Sequence, residues 1–166
     1  MVKSTEYSLE GIYIMSSILN KKIMIIDDSQ FSRMMIFLKL EKEGYTNLSV
    51  PETSIEAWDE IANCQLSDDP FDLVITDLNM PGLDGMDLIA KVKGDPLSEK
   101  IKMIVISADA DKTVIGITKT LGAAAYIVKP FVVHEMLSVV EAVLKDEKIP
   151  EIKGMFSDDS ADIVRE

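Results

Sequence analysis

The chain has 166 residues, 47% of them hydrophobic and 28% charged, which is enough for one α/β core and too short for two ordinary domains. Its 17 Lys and Arg against 29 Asp and Glu give a formal charge of -12, which argues against a sequence-independent grip on nucleic acid or anionic lipid. No apolar run approaches the roughly 20 residues that span a bilayer, no secretion signal is legible at the start, and Cys64 is the only cysteine; a soluble cytoplasmic protein without disulfides or a multi-cysteine metal site is expected.

Residues 1–20 read either as a short extra helix through Leu9, Ile12, Ser16 and Leu19 or as a leader or upstream extension, with Met15 an equally good start. From about Lys21 to Lys148, short apolar runs alternate with segments of helical period, the pattern of βα units around a parallel sheet. Lys22 to Ile26 is apolar on both faces, as a covered central strand is, and stops at Asp27-Asp28. Ser29 offers an N-cap for a helix to about Glu43, with Met34, Phe37, Leu38 and Leu40 as its apolar face and Gly44 as its stop. Asn47 to Pro51 is a weaker strand, placed at a sheet edge because proline lacks a ladder donor. A helix from about Ser54 to Asn63 carries Ile55, Trp58, Ile61 and Ala62.

Phe71 to Asp77 is the third strand, followed by the turn Met80-Pro81-Gly82 and a helix near Gly85 to Lys93. Ile101 to Ser107 is the fourth strand. The helix after it, about Asp111 to Leu121, is rich in Thr, Val and Ile and contains Gly116, so its stability must come from packing. Ala124 to Val128 is the fifth strand, Lys129-Pro130 breaks it, and a last helix runs from about Val132 to Lys145. Residues 149–166 read as an acidic, flexible tail or the start of a linker.

Functional groups in an open parallel sheet gather at the carboxyl ends of the strands. Here those ends bring Asp27 and Asp28, Asp77, Ser107 and Lys129 toward one edge. Neighbouring carboxylates raise one another's pKa unless a counter-charge is present, and an all-oxygen set suits a hard divalent cation, Mg2+ first. A strand-end carboxylate beside a metal and a lysine is arranged for phosphoryl transfer, with Asp77 the best-placed nucleophile.

These residues resemble a known family, the receiver domains of bacterial two-component response regulators, especially the single-domain chemotaxis type. The resemblance covers about residues 21–148 and rests on Asp27-Asp28, the run from Asp77 to Gly85 (DLNMPGLDG), Ser107-Ala108, and Tyr126 to Phe131 (YIVKPF). It implies a flavodoxin-like (βα)5 fold, doubly wound, with five parallel strands in the order 2-1-3-4-5. It further implies that Asp77 accepts the phosphoryl group, and that Asp28, Asp77 and the Asn79 backbone carbonyl hold Mg2+, with Mn2+ or Ca2+ as substitutes and Asp27 acting through water. Ser107 and Ala108 would bind the phosphoryl group together with Lys129, which a cis peptide bond before Pro130 aims. Tyr126 would rotate from exposed to buried, and the fourth helix, fifth strand and fifth helix of the domain would present the altered surface. The implied partners are a sensor histidine kinase or phosphotransfer protein and a downstream protein target, for a monomer or weak dimer.

The side chains of Asn79 and Asp109 would modulate the hydrolysis rate, a position at which the family varies. Asp84 and Asp87 read as turn and helix-start acids, Trp58 and the methionines as filling, Cys64 as a small helix residue, and His134 as non-catalytic. A phosphatase with an aspartyl-phosphate intermediate would call for an acid two residues beyond the nucleophile, where Asn79 stands. No Gly-rich phosphate loop follows the first strand, which disfavours a nucleotide enzyme. A scaffold that keeps the receiver fold without accepting phosphate is the remaining alternative.

Overall fold

The structure, a computed structural model, describes residues 9–151 and 155–157. In chain order the elements are α1 (Leu9–Leu19), β1 (Ile23–Ile26), α2 (Gln30–Lys42), β2 (Leu48–Ser49), α3 (Ser54–Leu66), β3 (Leu73–Thr76), α4 (Gly85–Gly94), β4 (Lys102–Ser107), α5 (Lys112–Thr120), β5 (Ala125–Val128), α6 (Val133–Lys145) and β6 (Met155–Ser157). β1 to β5 are parallel in the order β2-β1-β3-β4-β5, and β6 adds antiparallel beyond β5. The parallel core and its strand order match the expectation.

Every residue of β1 and β3 is buried, because helices cover both faces of the sheet. Alternate side chains separate the two layers. Ile23 and Ile25 of β1, Ile104 and Ile106 of β4, and Ala125 and Ile127 of β5 pack with Ile36 and Leu40 of α2 and Met136, Val139 and Val140 of α6. Met24, Val74, Met103, Val105 and Tyr126 face the other way, against Ala57 and Ile61 of α3, Leu88, Ile89 and Val92 of α4, and Ile115 of α5. Each fully buried aliphatic side chain contributes about 1.5–3 kcal/mol relative to exposure, so these two layers supply most of what holds the edge loops in place.

Two expectations about burial and one about the tail need correction. On α2 the buried residues are Ile36 and Leu40, whereas Met34 is 40% and Leu38 53% exposed. At about 100° per residue the four residues expected to share a face do not, since Leu40 stands about 120° from Met34. On α3 the buried stripe is Ser54, Ala57 and Ile61; Trp58 is half-buried with the Lys91 ammonium 4.6 Å from its ring, and Ile55 is exposed. The third correction concerns the tail, within which Met155–Ser157 forms β6. β5 would otherwise be an open sheet edge, and a row of unpaired main-chain groups there accepts any extended segment within reach.

At the other end of the chain, the helical reading of the extension holds. α1 buries Ile18 in the α2–α6 layer, and Thr46 N–H donates to Leu19 O at 3.3 Å. Residues 1–8, and with them the leader reading of that stretch, lie outside the described residues.

Candidate functional site

The carboxyl edge is built by β1, β3, β4 and β5 running slightly past their last ladder residues. Asp77 N–H donates to Ile26 O at 2.9 Å, which extends the β1–β3 pairing by one step and brings Asp77 level with Asp27. Asp27 is 2% and Asp77 7% exposed. Each buried carboxylate divides its oxygens between main chain and lysine. Asp27 Oδ1 accepts from Ser29 N–H at 2.9 Å, and Asp77 Oδ1 from Leu78 N–H at 2.6 Å and Asn79 N–H at 3.3 Å. The other oxygens, Asp27 Oδ2 and Asp77 Oδ2, lie 2.6 and 2.9 Å from Lys129 Nζ.

Asp28 is exposed, and its carboxylate has no hydrogen-bond partner among the described residues. Asp27, Asp28 and Asp77 can each offer an oxygen such that all lie within 4.8 Å of one another. Three carboxylates and one ammonium carry a formal charge of -2 there, and a hard divalent cation with oxygen ligands fits both that deficit and the donor type. Burial pushes the Lys129 ammonium down, but hydrogen bonds to Asp27 and Asp77 and their charges outweigh it, so its pKa stands above the ordinary lysine value.

Local sequence fixes this geometry. Ser29 is the N-cap of α2, its hydroxyl accepting from Ser32 N–H, so the helix starts directly after the acid pair; Arg33, one turn on, donates to the Asp27 carbonyl. Asp84 caps α4 by accepting from Asp87 N–H at 2.8 Å, which gives both acids the turn and helix-start roles expected of them. Gly85 was legible only as a helix start, yet a Cβ there would stand 2.2 Å from Asp77 O and 2.7 Å from Leu78 Cα. Its N–H donates to Leu78 O at 2.9 Å, closing the loop behind Asp77. The spacing from Asp77 to Gly85 carries that signal, but only the fold shows that the contact is backbone on backbone.

The response regulator receiver domain family matches residues 23–141. This chain belongs to it. Chemotaxis protein CheY1 of Helicobacter pylori is 33% identical over 124 residues, covering 74% of this chain and 96% of that protein. Chemotaxis protein CheY-3 of Vibrio cholerae is 34% identical over 119 residues, 70% of this chain and 88% of the relative. Among solved structures, a CheY-like receiver domain protein from Methanospirillum hungatei JF-1 superposes with a TM-score of 0.68 at 27% identity, over 76% of this chain and 95% of that one.

The receiver's remaining predicted residues fall into two groups. Ser107 is fully buried at the end of β4, its hydroxyl accepting from Asp109 N–H at 3.3 Å, and its carbonyl accepts from Lys129 N–H at 2.8 Å; Ala108 beside it is exposed. The Lys129–Pro130 bond is cis, and Asn79 is exposed next to the acid cluster. Asp109 belongs to the α5 cap, since its Oδ1 accepts from Asp111 N–H at 2.9 Å. Tyr126 is fully buried, and its hydroxyl donates to Asp109 O at 2.7 Å. Burial, opposed in part by a hydrogen bond with Ser107, raises its phenol pKa. Tyr126 thus occupies the inward position. His134 is exposed on α6, away from the acid cluster's hydrogen bonds, and Cys64 is half-buried with Lys22 Nζ 3.2 Å from its sulfur. Among the described residues, no helix is long and apolar enough to cross a membrane.

Proposed function

We propose that this receiver is a phospho-accepting signalling switch rather than an enzyme acting on a separate substrate. In the reaction, an Asp77 oxygen forms a new P–O bond while the bond from phosphorus to the donor breaks, and the electron pair leaves with the donor imidazole or with a small acyl leaving group. The observation that carries the proposal is the Lys129 ammonium shared between buried Asp27 and Asp77 at 2.6 and 2.9 Å. It holds a positive charge where phosphoryl oxygens would lie, and its contact to Asp77 is the one a phosphoryl group would replace.

Asp28, Asp77 and the Asn79 carbonyl would hold Mg2+, with Asp27 acting through water. When bound, the cation neutralises charge on the non-bridging phosphoryl oxygens. Ser107 would donate its hydroxyl to one of those oxygens, with the exposed Ala108 loop following it. Asn79 lies near the incoming group and would affect its hydrolysis. Tyr126 couples the Ser107 loop to the surface formed by α5, β5 and α6, where a downstream target would bind; the donor would be a histidine kinase or phosphotransfer protein in the cytoplasm. The names of the relatives favour chemotaxis over a phosphorelay intermediate or a phosphate sink.

Incubation with acetyl phosphate and Mg2+, followed by intact mass, tests the reading. A single phosphoryl adduct, lost in Asp77→Asn and in EDTA, is expected. A folded chain that gains no adduct would favour the phosphorylation-independent scaffold.

A further inference from the structure

β5 differs from the other strands in what covers it. β1, β3 and β4 are each flanked on both sides by parallel neighbours, and β2 closes the opposite edge with only two residues. β5 is flanked on one side by β4 and on the other by a three-residue antiparallel segment, with Ala125 opposite Ser157, Tyr126 opposite Phe156 and Ile127 opposite Met155. Ala124 N–H donates to Met103 O on the β4 side at 2.8 Å. The alternation of a strand therefore turns the main-chain groups of Ala125 and Ile127 toward β6.

We propose that the β5 edge is a strand-accepting docking surface whose resident occupant is the chain's own Met155–Ser157 segment, and that this occupant holds Tyr126 inward. The Tyr126 ring lies in the layer with Ile115 of α5, at the last parallel strand of the sheet, and its hydroxyl reaches Asp109 O. An outward ring would swing past the β5 edge, where β6 runs as main chain. Docking of β6 and the inward ring are thus compatible, whereas docking and the outward ring compete for one space. Coupling of this kind needs no covalent event and shifts a two-state element by differential contact alone.

The occupant is also built to leave. A three-residue strand forms few ladder bonds, and the net worth of each is comparable to the entropy lost in ordering a residue, so docked and open states lie close in free energy. An extended peptide from a target, adding to the same edge through main-chain hydrogen bonds, is the partner chemistry that would displace it. The coupling rests on the receiver reading of Tyr126 as a ring with an inward and an outward position, whereas the docking of β6 goes beyond that reading, because neither β6 nor the edge of β5 contributes a group to the acid cluster.

Amide exchange and 19F spectra of fluorotyrosine-labelled protein, recorded on the full chain and on Met155→Pro, test it. Proline removes the N–H that faces Ile127. Ser157→Pro serves as a second variant, and unchanged exchange in β1 and β3 confirms that each variant is folded. The expected result is that the Ala125 and Ile127 amides exchange at least about tenfold faster in the variants, that a Tyr126 signal appears at an exposed position, and that a peptide of residues 151–160 added to the variant reverses both changes. Equal exchange of these amides in wild type and folded variants would overturn the proposal. Protection that falls on dilution would also overturn the assignment to the chain's own segment, by placing a second copy's tail on the edge. Faster amides with an unmoved Tyr126 signal would overturn the coupling. Acetyl phosphate labelling of Asp77 enters none of these readouts, so the two readings fail separately.

Discussion

The two halves of the sheet hold their functional groups in different ways. In the β1–β3 half, Asp27 and Asp77 are buried and tied by backbone N–H donors at 2.6 to 3.3 Å, directly after strands whose every residue is buried. In the β4–β5 half, the Ser107 hydroxyl accepts from Asp109 N–H at 3.3 Å and its carbonyl from Lys129 N–H at 2.8 Å, Tyr126 is held by Asp109 O and Ser107, and the next helix, α5, has a poor intrinsic propensity offset by burial of Ile115 and Thr118. Lys129 joins the halves, leaving β5 to reach acids on both β1 and β3. The difference separates an acid cluster fixed by main chain from a loop, ring and helix that depend more on packing, and under the proposed function a small local charge change at the first would shift the second.

The largest break in this comparison comes from the loop behind Asp77. Gly85→Ala places a methyl group 2.2 Å from Asp77 O, against backbone that the β1–β3 ladder holds in place. Overpacking of that kind is expected to cost about 3 kcal/mol or more, read as a lowered denaturant midpoint, with phosphoryl labelling lost alongside. The same substitution at Gly116 of α5, where a Cβ meets nothing within 4 Å, should instead stabilise by about 1 kcal/mol. Equal effects at the two glycines would remove the contrast between a fixed and an adjustable half.

A smaller effect comes from the cation. Mg2+ at ten times its dissociation constant should add about 1.4 kcal/mol, or about 3–6 °C in Tm for a chain of this size. Asp28→Asn, which changes an exposed carboxylate without a partner among the described residues, should lose most of that shift while leaving the metal-free Tm nearly unchanged. A full shift retained in Asp28→Asn would remove that residue from the cation site.

The smallest effect is in alkaline pH. Lys129 has its pKa raised, because its bonds to Asp27 and Asp77 outweigh burial, and burial raises the Tyr126 phenol and pushes Tyr45 up to about 12. For all three, the folded state holds its proton more tightly than the unfolded chain, so stability is fully present below about pH 10 and falls as pH rises through the folded values. Lys129→Met should make the decline between pH 10 and 12 shallower in denaturant titrations, whereas Asp28→Asn should leave its slope alone.

Much of the site was readable from sequence because its residues sit at strand ends, where a run of apolar residues stops at a polar one. Asp27-Asp28 after Ile26, Asp77 after Thr76 and Lys129 after Val128 are all of this kind. Helix faces were less legible. α2 is apolar around much of its circumference, so Met34 and Leu38 could not be separated from Ile36 and Leu40 without knowing which side meets the sheet. Gly85 looked like a helix start because its close contact is to backbone that is distant in space until the loop closes. β6 was not legible because three residues have no period to speak of, and pairing on an edge is decided by what the edge lacks. The inward position of Tyr126 was equally hidden, since a rotamer depends on neighbours that the sequence does not place.

The most direct test of the two-half account is an amide spectrum of the metal-loaded chain with and without beryllofluoride, in wild type and in Lys129→Met. Shifts at Asp27, Asp77 and Leu78 in both proteins, with shifts at Ser107, Tyr126 and α5 in wild type alone, are predicted. Equal shifts at Tyr126 and α5 in both proteins would contradict the account, because the message would then cross between the halves without Lys129.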